Sequence, residues 1–200
     1  MHILIPFNKN YLRKRYGMST TFINKLGSVV MPNLLNRLSM DHRTKSIELF
    51  SDLEGGLLSG ISRKISLYPS DTSKQTTAEK VIEFCFKNSK TESEISIFYN
   101  PLFPFVSIDK IEFGYNFLQN GSSSSAIGAF NTMLACNKPS IVKYTNQGIF
   151  RILKKKEFLA NKKNLSIPVD IIGLSAVELI SLRSGNDLDL FELIINSGYK

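Results

Sequence analysis

Polar and apolar positions change period repeatedly along this chain. Residues 2–7, HILIPF, form an apolar run too short for a helix and read as a strand. A polar, basic stretch follows to about residue 20 and is expected to be a loop. Residues 22–39, FINKLGSVVMPNLLNRLS, turn to helical spacing, with Pro32 near a helix start and Leu34, Leu35 and Leu38 on one face. SIELFS (46–51) is strand-like, DLEGGLLSG (52–60) reads as a short helical or irregular segment, and RKISLYP (63–69) alternates Ile65 and Leu67 with polar neighbours until Pro69 ends it. Residues 70–89 predict an amphipathic helix carrying Val81, Ile82, Cys85 and Phe86, with Asp71, Thr72 or Thr76 as its cap.

EISIFYNP (94–101) has the pattern of a buried strand. A helix capped by Ser107 follows within residues 105–121 and ends at Gly121, and SSSSAIGAF (122–130) is strand-like despite its serines. Residues 140–163 predict a strand or two and a short helix. VDIIGLS (169–175) and VELISL (177–182) predict two more strands, and a last helix over 187–196 is stopped by Gly198. Strands alternating with helices at this rhythm predict an α/β fold whose mostly parallel sheet is covered on both faces, as a single domain over residues 1–200. Ligands of such sheets collect at the carboxyl ends of the strands, which points to the loops after HILIPF, ISIFYNP and VELISL.

Charge sharpens this picture more than composition does. Two hundred residues at 42% hydrophobic content suffice for a full core, and the net charge of +8 is unevenly placed. Residues 1–40 hold Lys9, Arg13, Lys14, Arg15, Lys25 and Arg37 with no acidic residue. Residues 151–163 hold Arg151, Lys154, Lys155, Lys156, Lys162 and Lys163 against Glu157 alone. Such patches attract nucleic acid, nucleotide phosphates, acidic sugars or an anionic membrane face; the plain alternative is a solvated basic surface. Tyr11, Tyr16 and Phe22 are aromatic residues that can stack on bases, but no recognition-helix or sheet motif accompanies them, so nucleic acid is the weaker reading. No long apolar run follows the basic N-terminal region, and a cytoplasmic protein with no membrane partner is expected. Cys85 and Cys136 lack metal-like spacing and read as buried thiols, while the isolated His2 and His42 argue against a histidine metal site or triad.

Asp187 and Asp189 form an Asp-x-Asp pair, a spacing that converges on one metal ion when it lies on a strand and diverges on a helix. Ser184 stands three residues before Asp187 in a capping-box arrangement, and Leu188, Phe191 and Ile195 follow at helical spacing, so both aspartates are expected in the first turn of a helix. Upstream, strand alternation in VELISLRS puts Ser181 and Arg183 on one face, a weak neutral ligand beside a cation.

The order of segments resembles a known family. IFYNPLFPFVSIDKIEFGYNFLQNGSSSSAIGAF is similar to a segment in which a strand ends in a Gln-Pro-Thr-Ser-Pro-like turn, then a helix, then a serine- or valine-rich strand. YTNQGIFRILKKKEFL resembles an Asn-Gly-Ala-Ile-Tyr stretch, and GLSAVELISLRSGNDLDLFELI a closing segment of the form Ile-Asp-Ile-Asp-Thr followed by Asp-Leu and a helix. HILIPF and INKLGSVVMPNLLNRL resemble the opening strand and helix entry more loosely, and residues 47–86 an intermediate stretch. The family is the acylneuraminate cytidylyltransferases, which activate acidic sugars with CTP. The resemblance implies a three-layer α/β/α nucleotidyltransferase domain, Rossmann-like and GT-A-like, with a mostly parallel mixed sheet. It also implies CTP and an acidic sugar as ligands, magnesium as cofactor, and a homodimer whose pairing segment is shortened here around residues 130–146.

The chain departs from the family where the chemistry lies. The family's glycine-rich phosphate loop corresponds to NKNYLRKRYGMSTTFINK, which has no glycine before Gly17; Tyr11, Leu12 and Tyr16 stand in the way of close backbone approach. Lys9, Arg13, Lys14 and Arg15 are the groups left to neutralise a triphosphate. The two metal-binding aspartates align with Ser181 and Arg183, the threonine with Ser184 and the later aspartate with Asp187, so no metal ligand set is assigned and Arg183 is the candidate for a fixed cation in the metal's place. Asp52, Glu54 and Asp71 are alternative ligands, each with a plain role in a turn or cap. Asn100, Asn146 and Gln147 are the implied substrate-binding positions. The expected function is cytidylyltransferase-like with activity reduced or lost. The alternatives are a transferase using other residues, a non-catalytic binding or scaffold protein, and a nucleic-acid-binding module.

Overall fold

A computed structural model describes residues 1–53, 62–70, 77–131, 144–145, 148–161 and 168–198. Its strands are β1 (His2–Phe7), β2 (Ser46–Ser51), β3 (Ile65–Pro69), β4 (Ile95–Tyr99), β5 (Ser125–Asn131), β6 (Tyr144–Thr145), β7 (Phe150–Lys154) and β8 (Val169–Gly173). Its helices are α1 (Lys9–Tyr16), α2 (Thr20–Lys25), α3 (Met31–Met40), α4 (Ala78–Asn88), α5 (Ile108–Asn120), α6 (Lys155–Asn161) and α7 (Gly185–Asn196). β3, β2, β1 and β4 run parallel in that order. β7 then lies antiparallel between β4 and β5, β8 pairs β5 in parallel, and β6 pairs the end of β5 antiparallel.

The strands at the centre are buried on both faces, as a sheet covered by helices requires. On one face Ile3, Ile5, Phe7, Ile47, Leu49, Ile97, Tyr99 and Ile152 pack with α2, α3, α5 and α7; on the other, Leu4, Phe50, Phe98 and Leu153 pack against Val81, Ile82, Cys85 and Phe86 of α4 and Phe158 of α6. Period-two alternation thus sorts each strand into two cores. This is the three-layer α/β/α arrangement with a mostly parallel mixed sheet. Cys85 is a buried free thiol, while Cys136 lies outside the described residues.

The predicted helix over 22–39 is interrupted. Pro32 has no N–H to give Ser28, and the chain accommodates it through a π-helical turn over Leu26–Val30 in which the Met31 N–H reaches back to the Leu26 carbonyl. Two expectations are overturned. The basic stretch expected as a loop contains α1, because Asn8 caps its start, Gly17 closes its end in the left-handed region at φ 67°, and Leu12 is buried beneath it. VELISL is no strand: residues 176–179 form a turn. The Glu178 carboxylate, 3% exposed, folds back to accept the Ser175 N–H and hydroxyl at 2.8 and 2.9 Å and the Ser107 N–H at 3.0 Å. The α4 cap is Thr77, which accepts the Lys80 N–H at 3.3 Å; Asp71, Thr72 and Thr76 lie outside the described residues. The last helix starts at Gly185, two residues before the position predicted.

Arg43, after α3, gathers Asp41, Asp109 and Glu112, each at 2.7 Å, and ties that corner to α5. Hydrogen bonds from the Arg43 side chain lower the Asp41 carboxyl to about 2, against the upward push of burial. The folded value lies below the ordinary one of 3.8, so the stability it supplies is complete above about pH 4 and is lost as pH falls toward about 2. Asp41→Asn is expected to lower the unfolding free energy by about 1–2 kcal/mol at neutral pH, allowing for solvent around the cluster. In denaturant titrations the wild-type advantage should shrink between about pH 4 and pH 2. A difference that stays constant across that window would rule out the ion pair as its source.

Candidate functional site

The site grows from the carboxyl end of β1. Asn8 turns the chain into α1, its Oδ1 accepting the Tyr11 N–H at 2.9 Å while its Nδ2 donates to the Ser70 carbonyl at 2.9 Å. At the same helix end, the Lys9 N–H meets Asp52, which follows β2, with its carboxylate oxygens at 3.0 and 3.1 Å. A helix N-terminus is a ready anion site, and here the anion belongs to the chain itself.

α1 then presents Tyr11, Leu12, Arg15 and Tyr16 to a cavity of about 480 Å³. Ala78, Val81 and Ile82 of α4 and Phe98 of β4 make an apolar wall. Tyr99 and Asn100 at the end of β4, with Gly148 and Arg151 at the start of β7, line it, and Arg183 closes it from the segment before α7. Carboxyl ends of β1 and β4 therefore meet at this cavity, where α/β sheets place their ligands.

Arg151 occupies the β7 position between Phe98 of β4 and Ile127 of β5. Its neighbours Phe150 and Ile152 point to the opposite face, so alternation turns the guanidinium toward α4. Gly148, at φ 69°, leaves room for it: a Cβ there would lie 3.3 Å from an Arg151 Nη. The Arg151 Nε is buried and has no hydrogen-bond partner among the described residues. Burial acts most strongly on this group and lowers its pKa, while Glu79, Tyr11 and Tyr16 oppose the shift. Tyr11 is pushed up by burial and by Tyr16, and held back by Arg15 and Arg151. Tyr16 meets Tyr11 edge-on at 6.4 Å, and the Arg183 guanidinium lies 5.4 Å from the Tyr16 ring centre.

The wall at β4 is held from behind. Arg37 of α3 donates to the Pro104 and Val106 carbonyls at 2.6 and 3.1 Å and to the Tyr99 hydroxyl at 3.4 Å, and that hydroxyl donates to the Phe103 carbonyl at 2.7 Å. Asn100 spends one amide hydrogen on the Gly148 carbonyl at 3.1 Å and one acceptor position on the Leu102 N–H at 3.1 Å. One hydrogen and one lone pair of its side chain have no partner among the described residues.

Of the residues expected to bind ligand, the structure brings Arg15, Arg183 and Asn100 to one cavity. Lys9, Arg13 and Lys14 lie on α1 outside its lining, and Arg13 donates to Asn10 at 2.7 Å. Asn146 and Gln147 lie outside the described residues, as do Glu54, Asp71, Lys162 and Lys163. Asp52 acts at the α1 N-terminus. Ser181 and Arg183 do not share a strand face, because no strand forms there. Asp187 caps α7: its carboxylate accepts the Arg183 and Ser184 N–H groups and the Ser184 hydroxyl at 2.8, 2.7 and 2.8 Å. Burial works against its charge, yet these donors hold its pKa below the ordinary value. Arg151 was missed as a site residue because it opens a lysine-rich run; its place between Phe150 and Ile152 is the signal that separates it.

The magnesium implied by the resemblance finds no fit in this lining. The cavity's described residues include three guanidinium groups and no carboxylate, whereas magnesium takes hard oxygen donors. Among all described residues, no three His, Cys, Asp or Glu side chains gather as a metal site, and no helix is long and apolar enough to cross a membrane.

No protein-family model matches the chain, and no curated protein matches it in sequence. Solved structures do match. A CMP:2-keto-3-deoxy-manno-octonic acid synthetase complexed with CTP superposes at TM-score 0.70 and 10% identity over 98% of both chains. The 4-diphosphocytidyl-2C-methyl-D-erythritol synthase of Anaerococcus prevotii matches at 0.65 and 13% identity, over 98% of this chain and 95% of that one. The 2-C-methyl-D-erythritol 4-phosphate cytidylyltransferase of Thermus thermophilus matches at 0.61 and 14% identity over 98% of both. At such identities the likeness establishes the fold.

Proposed function

We propose that this chain is a cytidylyltransferase-like protein that binds a cytidine nucleotide, or the acidic sugar that such enzymes activate, and that its metal-dependent transfer activity is reduced or lost. The observation that carries the reading is the cavity at the carboxyl ends of β1 and β4, with Arg15, Arg151 and Arg183 and no carboxylate in its described lining. Guanidinium groups match phosphate and carboxylate oxygens with paired donors. Tyr11, Tyr16 and Phe98 offer ring faces and apolar surface for a base, and Asn100 keeps hydrogen-bonding capacity beside them. A fold shared with proteins that include a CTP-complexed synthetase supports the nucleotide, and the sequence resemblance supports the acidic sugar. A homodimer is part of the same resemblance.

Transfer of a cytidylyl group requires cations that neutralise charge as pyrophosphate leaves, in a geometry that positions the attacking sugar hydroxyl. The arginines supply the charge; by the sequence resemblance, Ser181 and Arg183 stand where such enzymes carry their metal carboxylates. Calorimetric titration with CTP, beside ATP and UTP, is expected to show CTP-selective binding at micromolar to millimolar concentrations. Pyrophosphate release from CTP with a panel of acidic sugars in magnesium is expected to be absent or very slow. Multiple-turnover release would overturn the loss of transfer, and failure of every nucleotide and every acidic sugar to bind would overturn the reading as a whole.

A further inference from the structure

We propose, resting on the reading above that this cavity is the ligand site, that it takes a polyphosphate anion free of metal, with guanidinium groups where a divalent cation would otherwise neutralise the phosphates, so that magnesium opposes binding. The three groups come from three separate elements: Arg15 from the last turn of α1, Arg151 from β7 and Arg183 from the segment before α7. An arginine is charged at every physiological pH and carries five donors in a rigid fork. Their convergence on one cavity concentrates positive charge; the lining itself holds no carboxylate among its described residues, and Glu79, beside it on α4, acts on Arg151.

Two of the three arginines are placed by something other than ligand. Arg183 is exposed but lies over the Tyr16 ring, and Tyr16 is fixed edge-on against Tyr11. Arg151 is held in the sheet, with a buried Nε that lacks a partner among the described residues. A buried donor left unpaired is destabilising, and Arg151, which carries it, is among the residues that line the cavity. The α1 N-terminus, the other electropositive feature nearby, is already answered by Asp52, so phosphate recognition falls to the guanidinium groups. Magnesium bound to a polyphosphate cancels part of the charge these groups attract and is itself repelled by them.

The test is titration of inorganic pyrophosphate and of CTP into the full chain, in a chelator and then in millimolar magnesium. Binding is expected in the chelator, and magnesium is expected to weaken it about tenfold or more, roughly the loss of one charge-assisted contact. Arg183→Gln should weaken metal-free binding by about tenfold without moving the melting temperature, since this exposed side chain carries little of the packing. Arg183→Asp should weaken it further and reverse the sign of the magnesium effect, because a carboxylate beside the phosphates offers the ion a hard ligand. Binding that magnesium strengthens or leaves unchanged overturns the metal-free inference and leaves the proposed function standing. Wild-type affinity in Arg183→Gln overturns it too, by assigning the anion to another basic surface. If neither probe nor any acidic sugar binds in either condition, the proposed function itself fails.

Discussion

Replacing Glu178 by alanine is expected to cost about 2 kcal/mol of stability and to lower the melting temperature by roughly 4–8 °C. Glu178 is buried, and its carboxylate serves three donors at once: the Ser107 N–H at the start of α5 and the N–H and hydroxyl of Ser175. Alanine leaves the N–H of half-buried Ser107 and that of the more exposed Ser175 without their partner, and an unmatched donor with poor access to water is worth about 1–3 kcal/mol. Glu178→Gln should recover part of the loss, since one amide oxygen can still accept while the NH₂ faces a donor. Differential scanning calorimetry on the three proteins decides the matter. A loss under about 1 kcal/mol for the alanine variant would show that the turn rearranges to satisfy itself. The effect should extend to ligand. The Leu182 N–H donates to the Leu102 carbonyl at 2.8 Å, one residue before Arg183, so the turn that Glu178 organises delivers that arginine to the cavity.

Gly128→Ala should be similarly severe, for a steric reason. A Cβ at this position of β5 would lie 2.5 Å from one ring carbon of Phe150 and 2.8 Å from another, with Leu174 at 3.0 Å. Phe150 is 1% exposed in the main core and cannot swing away without displacing its neighbours. Overpacking of this kind costs about 1–3 kcal/mol, and here the upper end is expected. Gly173→Ala on the adjacent β8 supplies the control, because a Cβ there meets nothing within 4 Å; it should be close to neutral. Equal losses in the two variants, read by urea denaturation, would count against the close approach as the cause. Phe150 directly precedes Arg151, so Gly128→Ala should also weaken anion binding, whereas Gly173→Ala should not.

The elements that carry their own periodicity were legible from the chain alone. β1, β2 and β4 are apolar runs of strand length, and α4, α5 and α7 bury one face at three- and four-residue spacing. The helical reading of Asp187 and Asp189 followed from Ser184 and the Leu188–Phe191–Ile195 spacing; Asp187 does cap α7, while Asp189, expected in the first turn as well, lies beyond it because the helix starts at Gly185. α1 escaped notice because one residue of its eight is buried, so no apolar stripe announces it, and its limits are set by Asn8 and Gly17. The VELISL segment mimics strand alternation, but the carboxylate at its second position serves N–H groups at Ser175 and Ser107, a tertiary contact that alternation does not encode. The candidate site was half legible for the same reason. Arg15, Arg183 and Asn100 were picked out by charge or by resemblance. Arg151 needed knowledge of which sheet face it occupies, and its distance from the lysines that follow it in sequence is a property of β7.

The Asp52 contact to α1 has a consequence for how the cavity meets its ligand. A glycine-rich phosphate loop gains its hydrogen-bonding partners when the phosphates arrive, and part of the binding free energy goes into ordering it. Here the segment after β1 has its partners from the moment of folding: Asn8 at Tyr11, Asp52 at Lys9, and Gly17 at Arg13. The wall of the cavity that bears Tyr11, Arg15 and Tyr16 is therefore preorganised, and the loss of backbone entropy has already been met in the native state.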